Sequence, residues 1–151
     1  MPQTYRDAMR TLIGVRWEEV WKAVPRAAEG KDIEGVHDVR VASRRLRAAM
    51  DVAAPAFQPS WYKPLHKVAK EITSELGEVR DRDVMLEYLT TARDEAPPNE
   101  RPGIERLIAR IEQERIAARA EMELFLQELA TRGVRDETRR RFPTSESSNQ
   151  E

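Results

Sequence analysis

Residues 37–47 read HDVRVASRRLR, one histidine and four arginines in eleven positions. On a helix, at about 100° per residue, His37, Arg40, Arg44 and Arg47 form a row along one side, with Arg45 on its flank. Val39, Ala42, Leu46, Ala49, Met50 and Ala53 fall on the other side, which can enter a core. The row suits anion chemistry. A guanidinium presents a planar fork that matches two phosphate oxygens at once. A histidine can donate from one ring nitrogen when neutral and from both when protonated.

A second row follows. Lys63, Lys67 and Lys70 share one face of the next helical segment, opposite Leu65, Val68, Ile72 and Leu76. Residues 36–70 hold seven basic and two acidic residues, a local charge of +5, whereas the whole chain carries −1. The remainder must therefore carry −6. Like charges at helical spacing repel, so such a face costs stability unless an anion offsets it. A solvated helix intersperses signs instead, as Glu105, Arg106, Arg110, Glu112, Glu114 and Arg115 do.

Other chemistries find less support. With no cysteine, thiolate catalysis and cysteine-based metal sites are excluded. His37 and His66 lack partners at metal-ligand spacing, so neither a metal nor another cofactor is expected. Asp81 and Asp83 are better suited to orienting neighbouring cations than to holding a divalent ion. No nucleophile–base set or phosphate-cradling glycine loop is present, so catalysis is not expected. The near-zero net charge disfavours a general nucleic-acid binder. Trp17, Trp21, Trp61, Tyr62 and Tyr88 are not interleaved with the basic row as a base-stacking platform requires.

Helices must position these residues. Apolar spacing predicts them over residues 4–24, 33–54, 61–76, 81–95 and 104–131. Pro25, Gly30, Pro55, Pro59, Gly77 and the run APPNERPG supply the breaks, and Asp32 is a candidate cap. Ile104, Ile108, Ile111, Ala118, Met122, Phe125 and Leu129 form a heptad-like seam on the last helix. No segment alternates as a strand would. The expectation is an all-α antiparallel bundle over residues 4–133 with a polar, disordered tail at 143–151. Without an apolar run of membrane length or a secretory signal, a soluble cytoplasmic protein is expected.

The two motifs together resemble one family, the histidine-containing α-helical domains called CHAD. His37, Arg40, Val41, Arg44, Arg45, Leu46 and Arg47 fill its H-x-x-R-V-x-x-R-R-L-R pattern. Leu76, Gly77, Arg80, Asp81, Asp83 and Val84 fill its L-G-x-x-R-D-x-D-V pattern downstream. The resemblance covers residues 5–130. It implies a helical fold that binds inorganic polyphosphate through a basic surface, association with polyphosphate granules, and frequent fusion to CYTH-type triphosphate-processing domains. It implies polyphosphate contacts at His37, Arg40, Arg44 and Arg47, joined by Lys63, Lys67, Lys70 and Arg80. Arg45 is a less certain member, because its angle points it towards a neighbouring helix.

The resemblance implies a chain usually about twice as long, with two related helical halves about a pseudo-two-fold axis, whereas this chain carries the histidine–arginine motif once. Two copies are therefore expected to associate about a true two-fold, through the heptad seam and exposed Trp17 and Trp21. A piece of a longer protein is the alternative. Polyphosphate-processing enzymes, CYTH-type or other, are the expected partners besides the polymer. Two rival readings of the cationic face are a histidine phosphotransfer bundle using His37 and a nucleic-acid-binding bundle.

Overall fold

A computed structural model of the protein describes residues 2–144. Five helices follow in order: α1 (Pro2–Glu29), α2 (Glu34–Ala53), α3 (Pro59–Glu95), α4 (Arg101–Thr131) and α5 (Val134–Arg141). A 3₁₀ turn at Ala54–Ala56 leads into α3. No strand occurs among the described residues, and the all-α fold expected from the sequence is the one observed. Most of the expected polar tail, from residue 145 on, lies outside the described residues.

α1, α2 and α3 pack side by side in antiparallel order, with α4 against α3. The interior is a single cluster that includes Ile13, Trp17, Val20, Val39, Leu46, Met50, Leu65, Ile72, Leu76 and Met122. Trp17 and Trp21 are core residues, 1% and 7% exposed, and their rings stack at 5.4 Å. The expectation that they stand on the surface is wrong. The reason is their position on α1, in step with buried Ile13 and Val20. The seam on α4 is likewise largely spent within the chain, since Ile108, Met122 and Leu129 are buried.

Two expected breaks do not occur. α1 runs through Pro25 to Glu29. A proline removes one helical hydrogen bond, and buried Trp21 and Ala27 on either side hold the backbone in place. The helix stops at Gly30, whose φ of 69° is left-handed. There the Arg119 side chain of α4 donates to the Ala27 carbonyl at 3.1 Å, a cation at a helix C-terminus.

Gly77 does not end a helix either: residues 59–95 form one rod. A helical glycine costs about 1 kcal/mol, and the burial of Leu76 and Val79 beside it outweighs that. α5 has no counterpart among the expected helices. It follows α4 after Gly133 (φ 70°) and buries Val134 and Thr138, with Phe142 buried just beyond it. Phe142 joins Phe57, Trp61 and Tyr62 in an aromatic cluster.

The link between α1 and α2 forms much as the sequence indicates. The Asp32 carboxylate accepts from the backbone amides of Glu34 (3.0 Å) and Gly35 (3.2 Å). Arg26 reaches both Asp32 and Asp38, and its hydrogen bond holds the Asp32 carboxyl below its ordinary pKa. At Gly35 the helices nearly touch: an added Cβ would lie 2.7 Å from the backbone carbonyl of Arg26. Gly35→Ala is expected to destabilise the protein by about 1–3 kcal/mol, read as a lower urea midpoint. Gly103→Ala, where nothing lies within 4 Å, serves as the control that leaves the midpoint near wild type.

Candidate anion-binding face

The face is set by how α2 meets α3. Small side chains lie between them. Ser43 is fully buried, and its hydroxyl donates to the Arg40 carbonyl at 2.9 Å. The Thr73 hydroxyl lies 3.0 Å from Ser43 Oγ, linking the two helices. At the turn, the Tyr62 hydroxyl donates to the Met50 carbonyl at 2.7 Å, and burial raises the phenol's pKa. These two ties fix the antiparallel register. Counting along α2 and α3 from the Ser43–Thr73 pair places Arg47 level with Ala69, beside Lys70, and Arg40 level with Leu76, beside Gly77.

Gly77 admits the Arg40 guanidinium over the backbone of α3. A Cβ there would meet Arg40 Nε at 3.6 Å and Nη2 at 3.9 Å. Arg40 Nη1 lies 3.5 Å from Asp81 Oδ1, a loose pair with an exposed carboxylate. The other candidates have no ion pair among the described residues: His37, Arg44, Arg45, Arg47, Lys63, Lys67, Lys70 and Arg80 stand without a carboxylate partner. Arg44 and the three lysines are exposed, while His37, Arg40, Arg47 and Arg80 are half-buried. Arg45 is exposed rather than turned into a neighbouring helix. On α2 it lies close in angle to Asp38, on the side away from Ser43 and α3.

Nearby acids are engaged elsewhere. Asp38 faces α1 and pairs with Arg26 at 3.1 Å. Asp51 does not pair with Arg47 a turn away; it sits 2.6 Å from His66 Nε2 instead. Glu78 pairs with Arg82, and Glu71 lies near Arg132. Glu75 is left with its carboxyl above its ordinary pKa, chiefly by burial and then by Glu121, Glu78 and Glu71.

Three donors on the basic residues are buried without a hydrogen-bond partner: Arg40 Nε, Arg47 Nε and Arg80 Nη1. Such donors carry a desolvation cost of about 1–3 kcal/mol each. A guanidinium held half-buried with its charge unmatched can accept a multiply charged oxyanion at its open edge. Among the described residues no group of three or more His, Cys, Asp or Glu is arranged to hold a metal ion.

The two aspartates of the second motif do different work. Asp81 meets Arg40, whereas Asp83 is 3% exposed and receives Arg115 Nε of α4 at 2.5 Å. Neither pairs with Arg80. Residues two apart on a helix point about 200° from each other, so the spacing alone separates their roles. The Ser43–Thr73 link had no comparable signal, because small polar residues on a helix are common. Arg115→Ala strands the Asp83 carboxylate in the interior and is expected to cost about 3 kcal/mol or more. Thermal unfolding measures the loss; the folded fraction should still bind an anion as wild type does.

Against known proteins, the family model described as CHAD domain matches residues 11–151. No curated protein and no solved structure matches the chain.

Proposed function

The chain belongs to the CHAD family, a polyphosphate-binding family, and from that premise we propose that it binds inorganic polyphosphate on the α2–α3 face. The observation that carries the reading is the set of half-buried arginines Arg40, Arg47 and Arg80, each with a buried donor lacking a partner. Lys63, Lys67, Lys70, Arg44 and Arg45 add exposed charge, and half-buried His37 is a further donor. A linear polyanion lies along the groove between the two helices, with phosphate oxygens taking the place that water or a carboxylate would fill. CHAD domains are generally binding domains, and binding without turnover is the activity proposed. Enzymes that make or cut the polymer act from other chains, and the bound polymer draws the protein to polyphosphate granules.

Counterion release makes such binding depend steeply on salt. Titrating long-chain polyphosphate across a salt series should give a linear fall of log affinity against log salt concentration. Arg40→Ala/Arg44→Ala is expected to lose about tenfold or more in affinity, and to flatten the slope by about 1.4 if each arginine neutralises one phosphate. Equal affinity for RNA at matched charge would count against the polyphosphate reading, as would a variant that binds like wild type.

We further propose that two copies join. Beyond Asp83 and Leu86, which line one pocket with Ile33 ahead of α2, α3 continues beside α4 without α2. A two-helix hairpin can bury one face of each helix, and here Val84, Met85 and Tyr88 of α3 and Leu107 of α4 remain exposed. A second hairpin packed on these residues gives a four-helix arrangement. Sedimentation should show a concentration-dependent mass that Met85→Glu/Tyr88→Glu returns to a monomer of 17.4 kDa. A wild-type mass of one chain at all concentrations would refute the association.

A further inference from the structure

At the end of the bundle, the turn between α2 and α3 meets the start of α1 and the end of α5. A cleft of about 560 Å³ opens there, lined by Arg6 and Arg10 of α1 and by Arg140 and Arg141 of α5. Phe57 and Trp61 also line it. The Arg10 guanidinium carbon lies 5.6 Å from the centre of the Phe57 ring, and that of Arg141 lies 4.8 Å from the centre of Trp61. Stacking secures a guanidinium by its face and leaves its edge for hydrogen bonding.

The charge is not matched by the protein. Glu137 is the carboxylate that pairs with both Arg140 and Arg141. Arg6 and Arg10 have no ion pair among the described residues. The cations are also held in place. Arg139 donates to both carboxylate oxygens of Glu18, at 2.9 and 3.2 Å, and Trp21 Nε1 donates to Thr138 Oγ1 at 3.0 Å, so α5 is moored along α1. Pro59, the first residue of α3, lines the same cleft. Neither a side-chain cap nor an acidic first turn opposes the positive end of this helix.

We infer that this bundle-end cleft is a second anion site, taking a condensed phosphate of a few units, separate from the α2–α3 face. The inference shares the condensed-phosphate reading of the ligand made above. The cleft is larger than one orthophosphate requires, and its four arginines come from opposite ends of the chain. The ligand is either a free short phosphate or a segment of a polymer whose other part lies on the α2–α3 face.

The test uses sodium tripolyphosphate and long-chain polyphosphate with the full chain. In the unmutated protein the backbone amide signals of Ser60 and Trp61 should shift as tripolyphosphate is added. Arg6→Ala/Arg10→Ala should bind tripolyphosphate about tenfold more weakly, whereas Arg40→Ala/Arg44→Ala should keep the Ser60 and Trp61 shifts. Loss with both phosphates identifies an autonomous site; loss with the polymer alone identifies the cleft as holding a segment of it. Unmoved amides at saturation would overturn the inference, even if the Arg6/Arg10 variant failed to fold. Wild-type binding of both phosphates by that variant would overturn it too. Should the Arg40/Arg44 variant alone abolish binding, the cleft is refuted and the α2–α3 reading stands. Should the Arg6/Arg10 variant alone abolish it, the reverse holds.

Discussion

The close approach of α2 and α3 is the constraint on which the rest depends. It requires small groups where the helices meet, and Ser43, Ala69, Thr73 and Gly77 supply them. The Ser43 and Thr73 hydroxyls meet across the contact, and each also reaches a carbonyl one turn back in its own helix, so neither is buried without a partner. Larger residues there would separate the helices and carry the arginines of α2 away from α3. The apolar stripes beneath, Val39–Leu46–Met50 and Leu65–Ile72–Leu76, anchor each helix from its other side.

Electrostatics then works against the fold it decorates. Cations at helical spacing repel, and the protein neutralises few of them internally. Its acids are diverted: Asp38 to α1, Asp51 to His66, Asp83 to α4. Each of these pairs also ties one element to another, so the same carboxylates that leave the basic face uncompensated help to hold the bundle together. The negative charge gathers instead around Glu71, Glu75, Glu78 and Glu121, where burial first and the like charges second raise the Glu75 carboxyl. Segregation of charge is thus built from specific pairings, and not from composition alone.

Much of this was legible in the sequence. The helix carrying HDVRVASRRLR was placed to within a residue at each end, because its apolar and basic positions separate cleanly. The cap at Asp32 and the stop at Gly30 followed from residue type. What misled were the punctuating residues. Pro25 and Gly77 carry local preferences of one to a few kcal/mol, and buried neighbours override them. The tryptophans of α1 misled for a related reason: a mixed-polarity helix gives a weak stripe, and the identity of its buried side is decided by partners distant in sequence. α5 was invisible because its eight residues are mostly charged, and Val134, Thr138 and Phe142 acquire meaning only once α1 and the aromatic cluster are in place. Arg140 and Arg141 were hidden with it.

The unbroken α3 has a mechanical consequence. Thirty-seven residues at about 1.5 Å each make a rod of roughly 55 Å, unbroken at Gly77, over which the Arg40 guanidinium lies. One end touches the arginine cleft, the first third carries the lysines, and the far end forms half of the projecting hairpin. α3 is therefore a lever whose fulcrum is the Ser43–Thr73 contact. A tilt of a few degrees about that contact becomes a displacement of an ångström or so at the hairpin tip. A tilt at the α2–α3 contact is in this way carried to the exposed Met85 and Tyr88 farther along the same rod.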